Sequence, residues 1–240
     1  WAYTPNINSA ESIKWLADRK PDIIFCFGWS KLLGDKVLNL ASLGVVGYHP
    51  AALPANRGRH PLIWALCLGL KETASTFFFM DEGADTGDIL SQLKVEISDE
   101  DNATTLYEKI TLHALDQIKI FVPQLESGSF PRKPQDHKQA NIWRKRNKAD
   151  GQIDWRMSAL NIHNLVRSLA KPYPGAHFIS KGKGITVWKS KVVQNYPTNI
   201  EPGKVISIIN DEEPLISCGE QVIQLLETEP KHNLNIGEYL

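Results

Sequence analysis

The chain has 240 residues, more than one average domain and fewer than three. It carries 27 Lys and Arg against 27 Asp and Glu, and 42% of its residues are hydrophobic, which excludes a disordered or fibrous chain. No apolar run reaches the roughly 18 residues that a membrane-spanning helix needs. Because its three cysteines, Cys26, Cys67 and Cys218, form no CxxC pair, we expect a reducing, cytoplasmic location.

The first part of the chain alternates helices and strands. Asn8 with Glu11 three residues later predicts the start of a helix, and Pro21 its end. Residues 22–28 read as a strand buried on both faces, since their apolar residues run on without alternating. We expect further strands at 44–48, 75–80 and 89–97 and helices at 61–68 and 102–125. Strands separated by helices indicate an α/β domain with a mostly parallel sheet, which binds ligands beyond the carboxyl ends of its strands.

The second part begins after residues 128–139, a stretch rich in Pro, Lys and polar residues that reads as a linker. A helix starts at Ser158 and ends before Pro172. Four short β-rich runs follow at 185–193, 204–209, 215–218 and 221–226, and they predict a small antiparallel barrel. The sequence therefore predicts an α/β domain over residues 1–135 and a β domain over residues 140–240.

Three loops that follow predicted strands hold the candidate chemistry. Two prolines stiffen the loop of residues 48–61 and would hold His49 in one orientation, as proton transfer requires, although a lone histidine can equally satisfy buried backbone groups. The loop of residues 80–88 has four acidic side chains but neither the spacing of a calcium site nor a histidine, so we expect no metal. Residues 27–33 form an apolar, aromatic turn that alone would be core.

Taken together, these segments resemble the formyltransferase family that uses 10-formyltetrahydrofolate, which includes methionyl-tRNA formyltransferase and the sugar-nucleotide N-formyltransferases. The family's HPSLLPxxRG-type loop resembles residues 49–58, and its DEGxDTGDI-type loop resembles residues 81–89. Its OB-like C-terminal domain resembles this chain at residues 144–146, 150–155, 164–167 and 172–176. The resemblance runs from about Pro5 to Glu229 and is closest to the sugar-nucleotide enzymes.

The resemblance implies a role for each matching residue. His49 matches the family's catalytic histidine and Asp85 its catalytic aspartate. An amine attacks the formyl carbon of the folate, and the histidine moves a proton from the amine toward the departing folate nitrogen while the carboxylate orients it. The implied folate-binding residues are Gly28, Trp29, Ser30, Leu32, Leu33, Asp81, Glu82, Gly83 and Ala84.

The sequence departs from the family at two places. Gly47 stands where the family has an asparagine that stabilises the oxyanion, and losing such a donor costs about a hundredfold or more in rate. Its replacement is open between protonated His49, a backbone N–H, a water in the vacated space, and Asn56, for which a loop-stabilising turn is the alternative. The family also carries about two further strand–helix units upstream of Trp1, so we expect an N-terminally incomplete Rossmann-like domain with an exposed sheet edge.

Charge bears on the amine acceptor. Residues 138–240 hold 14 basic and 10 acidic side chains, and the whole chain is neutral, whereas a tRNA-binding enzyme needs a clearly basic surface. This balance favours a small anionic acceptor, such as a nucleotide-linked amino sugar. The residues expected to bind it are Arg57, Gly58, Arg59 and His60, with surface solvation as the alternative for Arg59.

Two other functions stay open at this point. The first is a methionyl-tRNA formyltransferase, and the second is a degenerate relative that binds folate or a sugar nucleotide without turnover. We expect small-molecule partners and no membrane, and a homodimer is an open alternative to a monomer.

Overall fold

The computed structural model describes residues 2–194, 196–197, 199–210 and 212–240. The chain divides into two compact units, each assembled from segments distant in sequence. Unit 1 contains the residues up to Pro61 together with Glu72–Glu96 and Lys109–Lys145, and unit 2 contains Leu62–Lys71, Ile97–Glu108 and Arg146–Leu240. The domain boundaries expected from the sequence stay a prediction. Across the described ranges, no helix is both long and apolar enough to cross a membrane.

Five α-helices occur in the described residues: α1 (Ala10–Ala17), α2 (Asp35–Leu38), α3 (Pro61–Cys67), α4 (Ala103–Glu126) and α5 (Ala159–Ser168). All except the short α2 were predicted. The cap of α1 is Ser9 rather than Asn8, because the Ser9 hydroxyl accepts the N–H of Ser12 at 3.2 Å. Asn8 instead accepts the N–H of Gly34 at 2.8 Å and so ties the start of α1 to the start of α2.

The strands follow one another along the chain as β1 (Ile24–Cys26), β2 (Val45–His49), β3 (Arg57–Gly58), β4 (Glu72–Phe79), β5 (Ile89–Glu96), β6 (Ile142–Trp143), β7 (Ala176–Ser180), β8 (Lys183–Val193), β9 (Val205–Ile209), β10 (Glu213–Ser217) and β11 (Val222–Glu229). The sequence predicted eight of these strands. It missed β7 and the two-residue strands β3 and β6, which pair with each other in parallel.

The main sheet of unit 1 has the order β1-β2-β4-β5. Only β1 and β2 are parallel, while β4 runs antiparallel to both of its neighbours. The α/β class is confirmed, but the expectation of a mostly parallel sheet is wrong. One reason is the short connection between β4 and β5, since parallel neighbours need a crossover of about a dozen residues or more.

The edge strand β1 also differs from expectation. Phe25 and Phe27, on and just after this strand, are 42% and 47% exposed, so the strand is not buried on both faces. Both rings nevertheless contact the aromatic cluster of unit 1: Phe25 lies 6.4 Å from Phe121, and Phe27 lies 5.6 Å from Phe77, between ring centroids.

The central strand β4 divides the core of unit 1 between its two faces. Phe77 and Phe79 pack with Phe121 and the neighbouring buried residues of α4 on one face. Phe78 points to the other face and packs with Leu53, which belongs to the loop after β2. This contact anchors the His49 loop to the sheet.

Unit 2 contains an antiparallel sheet with the order β7-β8-β11-β10-β9, with α5 packed on β8 and β11. The α5 side chains Ile162, Leu165 and Val166 are buried. The antiparallel prediction is confirmed. The sheet does not close into a barrel within the described residues, because its outer strands β7 and β9 are not hydrogen-bonded to each other.

Candidate active site

The ring orientation of His49 is fixed by one hydrogen bond. His49 ends β2 and is 5% exposed, and its Nε2 lies 2.8 Å from the carbonyl oxygen of Asn56. A carbonyl oxygen only accepts hydrogen bonds, so Nε2 carries a proton, and Nδ1 is the nitrogen left to gain or lose one. Asn56 has a left-handed backbone (φ 66°), which asparagine adopts more readily than most residues, and its N–H donates to Asn141 Oδ1 at 2.7 Å.

Asp85 faces the other nitrogen of the His49 ring. Its Oδ2 lies 3.5 Å from His49 Nδ1 and also accepts the N–H of Gly58 at 2.9 Å. In the mostly parallel sheet expected from the sequence, the loops after both strands would lie at the same end of the sheet, but the two residues meet by another route. Since β4 runs antiparallel to β2, their carboxyl ends lie at opposite edges of the sheet, and the loop after β4 folds back to bring Asp85 to His49.

Two features of the loop of residues 80–88 accompany this fold-back. Asp81 Oδ1 accepts the N–H of Gly83 at 3.0 Å and the hydroxyl of Thr86, which closes a tight turn. Gly87 has no space for a side chain, because a Cβ there would lie 1.8 Å from the carbonyl oxygen of Phe79.

The described residues contain no group of three or more His, Cys, Asp and Glu side chains able to hold a metal ion.

The first segment predicted to bind folate is only partly open. Trp29 and Leu32 are 39% and 56% exposed, and Gly28 has the left-handed φ of 65° that turns the chain after β1. The carbonyl oxygen of Ser30 accepts a hydrogen bond from Arg59 Nη1 at 2.9 Å. Leu33 is a correction: it is 6% exposed and packs in the core cluster that includes Val37 and Val45, so it is not available to a ligand.

The second predicted folate segment borders a cavity of about 460 Å³. Its walls are α2, the turn before β2, Arg132 and residues 80–82, so that Asp81 and Glu82 line it. Gly83 and Ala84 follow in the same loop, but neither they nor residues 28–33 contribute to its wall. The two predicted folate segments therefore do not meet in this cavity.

Two of the four residues predicted to bind the acceptor are built into the support of the site. Arg57 is 4% exposed, and its Nη2 donates to Gln135 Oε1 at 2.6 Å and to His137 Nδ1 at 3.2 Å, so its expected contact with a substrate is corrected. Gly58 binds Asp85, and a Cβ there would lie 2.3 Å from the carbonyl oxygen of Trp143. Arg59 and His60 are half-buried, and Arg59 makes the contact with Ser30.

The space at Gly47 is filled. A Cβ built there would lie 2.9 Å from Met80 Cγ and 3.1 Å from Phe78 Cε1. A water in the vacated space, one of the replacements considered for the family's asparagine, is therefore excluded. The hydrogen bonds of Asn56 to the loop are made by its backbone groups, so its side-chain amide stays a candidate for stabilising an oxyanion beside protonated His49 and a backbone N–H.

The sequence did not reveal the residues that support the site through hydrogen bonds to the two loops that carry His49 and Asp85. Gln135 and His137 lie in the stretch predicted as a linker, and Asn141 follows it. This stretch is part of unit 1, because Lys133 pairs with Ile89 and β6 pairs with β3. No periodicity or motif marks these residues, since each contact joins segments more than 40 residues apart.

Solved structures with a similar fold include three informative proteins. HypX from Aquifex aeolicus, in complex with tetrahydrofolic acid, has a TM-score of 0.65 and 18% identity over 90% of this chain and 38% of its own. WlaRD, a sugar 3N-formyl transferase solved with dTDP and 5-N-formyl-THF, has a TM-score of 0.70 and 17% identity over 90% of this chain and 77% of its own. Methionyl-tRNA formyltransferase from Clostridium thermocellum has a TM-score of 0.63 and 19% identity over 81% of each chain.

At these identities the likeness shows a shared fold, and the present chain spans about two fifths of the length of HypX. Family models match nearly the whole sequence: the formyl transferase model covers residues 2–120, and the model of the formyl transferase C-terminal domain covers residues 145–240. The chain therefore belongs to the formyl transferase family, as its two loop motifs predicted.

Proposed function

We propose that this protein is an N-formyltransferase that moves a formyl group from 10-formyltetrahydrofolate to a primary amine, with His49 and Asp85 as its catalytic pair. The observation that carries the proposal is the state of the His49 ring. Nε2 is bound to a carbonyl oxygen, while Nδ1 lies 3.5 Å from a carboxylate oxygen. A ring held in this way has one nitrogen free to exchange a proton, next to a group that stabilises the protonated form.

The two residues divide the work between them. The folate donor supplies the electrophilic formyl carbon. His49 Nδ1 accepts a proton from the attacking amine and returns one toward the leaving nitrogen, and Asp85 stabilises the imidazolium in between. Asp85 keeps its orientation because its Oδ2 also accepts the Gly58 N–H. The Asn56 carbonyl keeps the ring from rotating while the proton moves.

For the donor, the exposed residues of the turn after β1 offer an apolar surface beside backbone groups. Trp29 and Leu32 are open enough to contact a pterin-sized ring, and Asp81 and Glu82 line a cavity within the usual volume range of ligand sites. We assign the donor to these residues together with Gly28, Ser30, Gly83 and Ala84. Leu33 is left out because it is buried in the core.

For the acceptor, we propose the amino group of a nucleotide-linked sugar. The formal net charge of zero supports this choice over tRNA, whose phosphates call for a basic surface. Arg59 and His60 are the residues of the first loop that we assign to the acceptor's diphosphate or hydroxyls. The fold alone does not separate the two acceptors, since it is shared with WlaRD and with a methionyl-tRNA formyltransferase.

The test is a transfer assay with defined acceptors. The purified chain is incubated with 10-formyltetrahydrofolate and, in separate reactions, with UDP- and dTDP-linked amino sugars, methionylated tRNA and uncharged tRNA. Mass spectrometry then records the gain of one formyl group. We expect transfer to at least one amino sugar and none to tRNA. His113→Ala serves as a matched control for His49→Ala, because His113 is a half-buried histidine on α4 that bonds the Lys109 carbonyl.

The other results identify the alternatives. Transfer to methionylated tRNA alone would make the protein a methionyl-tRNA formyltransferase. Binding of tetrahydrofolate by calorimetry, without transfer to any acceptor, would make it a degenerate binding protein. The absence of transfer to every acceptor, with or without folate binding, would overturn the proposed function.

A further inference from the structure

Asp85 occupies a backbone conformation that needs support. Its φ of 58° lies in the left-handed region, which is strained for a non-glycine residue and persists only where the surrounding contacts offset the strain. The turn at Asp81 accounts for the first half of the loop. The second half, residues 85–88, is held by groups outside the loop.

The side chain of Gln135 provides that support. Gln135 is 7% exposed, and its Nε2 lies 3.0 Å from the carbonyl oxygen of Asp85 and 2.6 Å from that of Gly87. Its Oε1 accepts from Arg57 Nη2 at 2.6 Å. The amide orientation follows from chemistry, since a guanidinium only donates and a carbonyl oxygen only accepts. Both N–H groups and the oxygen of the amide are thereby used.

The two-residue strand β3 therefore supports Asp85 in two ways, once by a direct hydrogen bond and once through Gln135. Gly58 donates its N–H to the carboxylate, and Arg57 holds the amide of Gln135 that binds the main-chain carbonyl. β3 is itself fixed by its ladder with β6. Asp85 is thus held at both ends of the residue, at its side chain and at its backbone.

We infer that Gln135 is a positioning residue: it holds the backbone of Asp85 so that the carboxylate faces His49 Nδ1. This inference rests on the proposed function for its effect on rate, and on the geometry of the loop for its effect on the His49 ring. Gln135 touches no reacting atom and acts only through Asp85.

The sharpest variant is Gln135→Glu. A glutamate keeps an oxygen for Arg57, so the buried guanidinium stays paired, but it replaces both donors to the loop by a group that repels carbonyl oxygens. We expect kcat to fall about tenfold to a hundredfold, by analogy with the loss seen when a residue that orients a metal-binding side chain is removed, with KM for the folate donor unchanged. Gln135→Met serves as a second variant if the glutamate prevents folding.

The matched control is Gln117→Met. Gln117 is 1% exposed and also donates to a main-chain carbonyl, that of Ser75, but it does so away from the acidic loop. This variant should lower the melting temperature as Gln135→Met does and leave kcat in the wild-type range. A loss of kcat in both variants would point to a general effect of lost stability.

Two measurements decide the inference. In the Asp85→Asn background, Gln135→Glu should cause no further loss of kcat, since a residue that acts through Asp85 has nothing left to position. Independently of activity, ¹⁵N NMR of the His49 ring should show that Gln135→Glu shifts the Nδ1 resonance in the same direction as Asp85→Asn, while Gln117→Met leaves it in place.

The inference is overturned if the two losses multiply or if Gln135→Glu leaves the Nδ1 resonance where it is in the wild type. If the wild-type protein transfers no formyl group, the proposed function fails. The NMR measurement still decides whether Gln135 positions Asp85.

Discussion

The close packing at Gly47 predicts a measurable cost for a single added methyl group. In Gly47→Ala the new Cβ would lie 2.9 Å from Met80 Cγ, 3.1 Å from Met80 Sδ and 3.1 Å from Phe78 Cε1. Overpacking of this kind costs about 1–3 kcal/mol, offset by about 0.4–1 kcal/mol because alanine restricts the unfolded chain more than glycine. With a net loss of about 1–2 kcal/mol, the melting temperature of a chain of this length should fall by about 2–8 °C.

Thermal unfolding followed by circular dichroism tests this prediction against a matched glycine. Gly184 lies in β8, and a Cβ there would meet nothing within 4 Å, so Gly184→Ala should leave the melting temperature the same or slightly higher. In the Met80→Ala background, Gly47→Ala should cost less, since two of its three close contacts are gone. An unchanged melting temperature in Gly47→Ala, or an equal cost in both backgrounds, would refute the reasoning. For the same reason, we expect Gly47→Asn to lower the transfer rate.

Two further predictions concern titratable groups of unit 2. Burial, reinforced by Arg167, lowers the pKa of His163 below its ordinary value of 6.5, so its contribution to stability is present above pH 6.5 and is lost as the pH falls. His163→Asn should flatten the fall in melting temperature below that pH, and an unchanged slope would contradict this. Burial raises the pKa of Cys218 from 9.0 to about 12. Iodoacetamide at about pH 8 should therefore label it only after unfolding in urea, and rapid labelling of the folded protein would show that the thiol is accessible and reactive.

The elements that the sequence predicted well are those defined by local patterns. The repeat of apolar side chains predicted a helix over residues 102–125, and α4 spans Ala103–Glu126. A helix was expected to start at Ser158, and α5 begins at the next residue, with the Ser158 hydroxyl capping it by accepting the Asn161 N–H at 3.1 Å. Such signals involve neighbours within one or two turns of the chain, so no knowledge of the fold is needed to read them.

The candidate site depended on contacts that no local pattern contains. The His49–Asp85 pair came from two matched motifs, while the expected mostly parallel sheet does not explain how they meet, because β4 is antiparallel to β2. The burial of Arg57 follows from Gln135, which lies 78 residues further along the chain in an apparent linker. The filling of the space at Gly47 likewise depends on how Met80 turns into the core. Each of these is a tertiary contact and becomes visible only once the sheet is assembled.

The central claim is that His49 and Asp85 act as one unit in formyl transfer, and single-turnover rates test it most directly. With 10-formyltetrahydrofolate and the acceptor found in the panel, the rate is measured for the wild type, His49→Ala, Asp85→Asn and the double variant. We expect His49→Ala to lose at least about a hundredfold, and the double variant to be little slower than the slower single variant. Wild-type rates in His49→Ala, or losses in the double variant equal to the product of the single losses, would contradict the account.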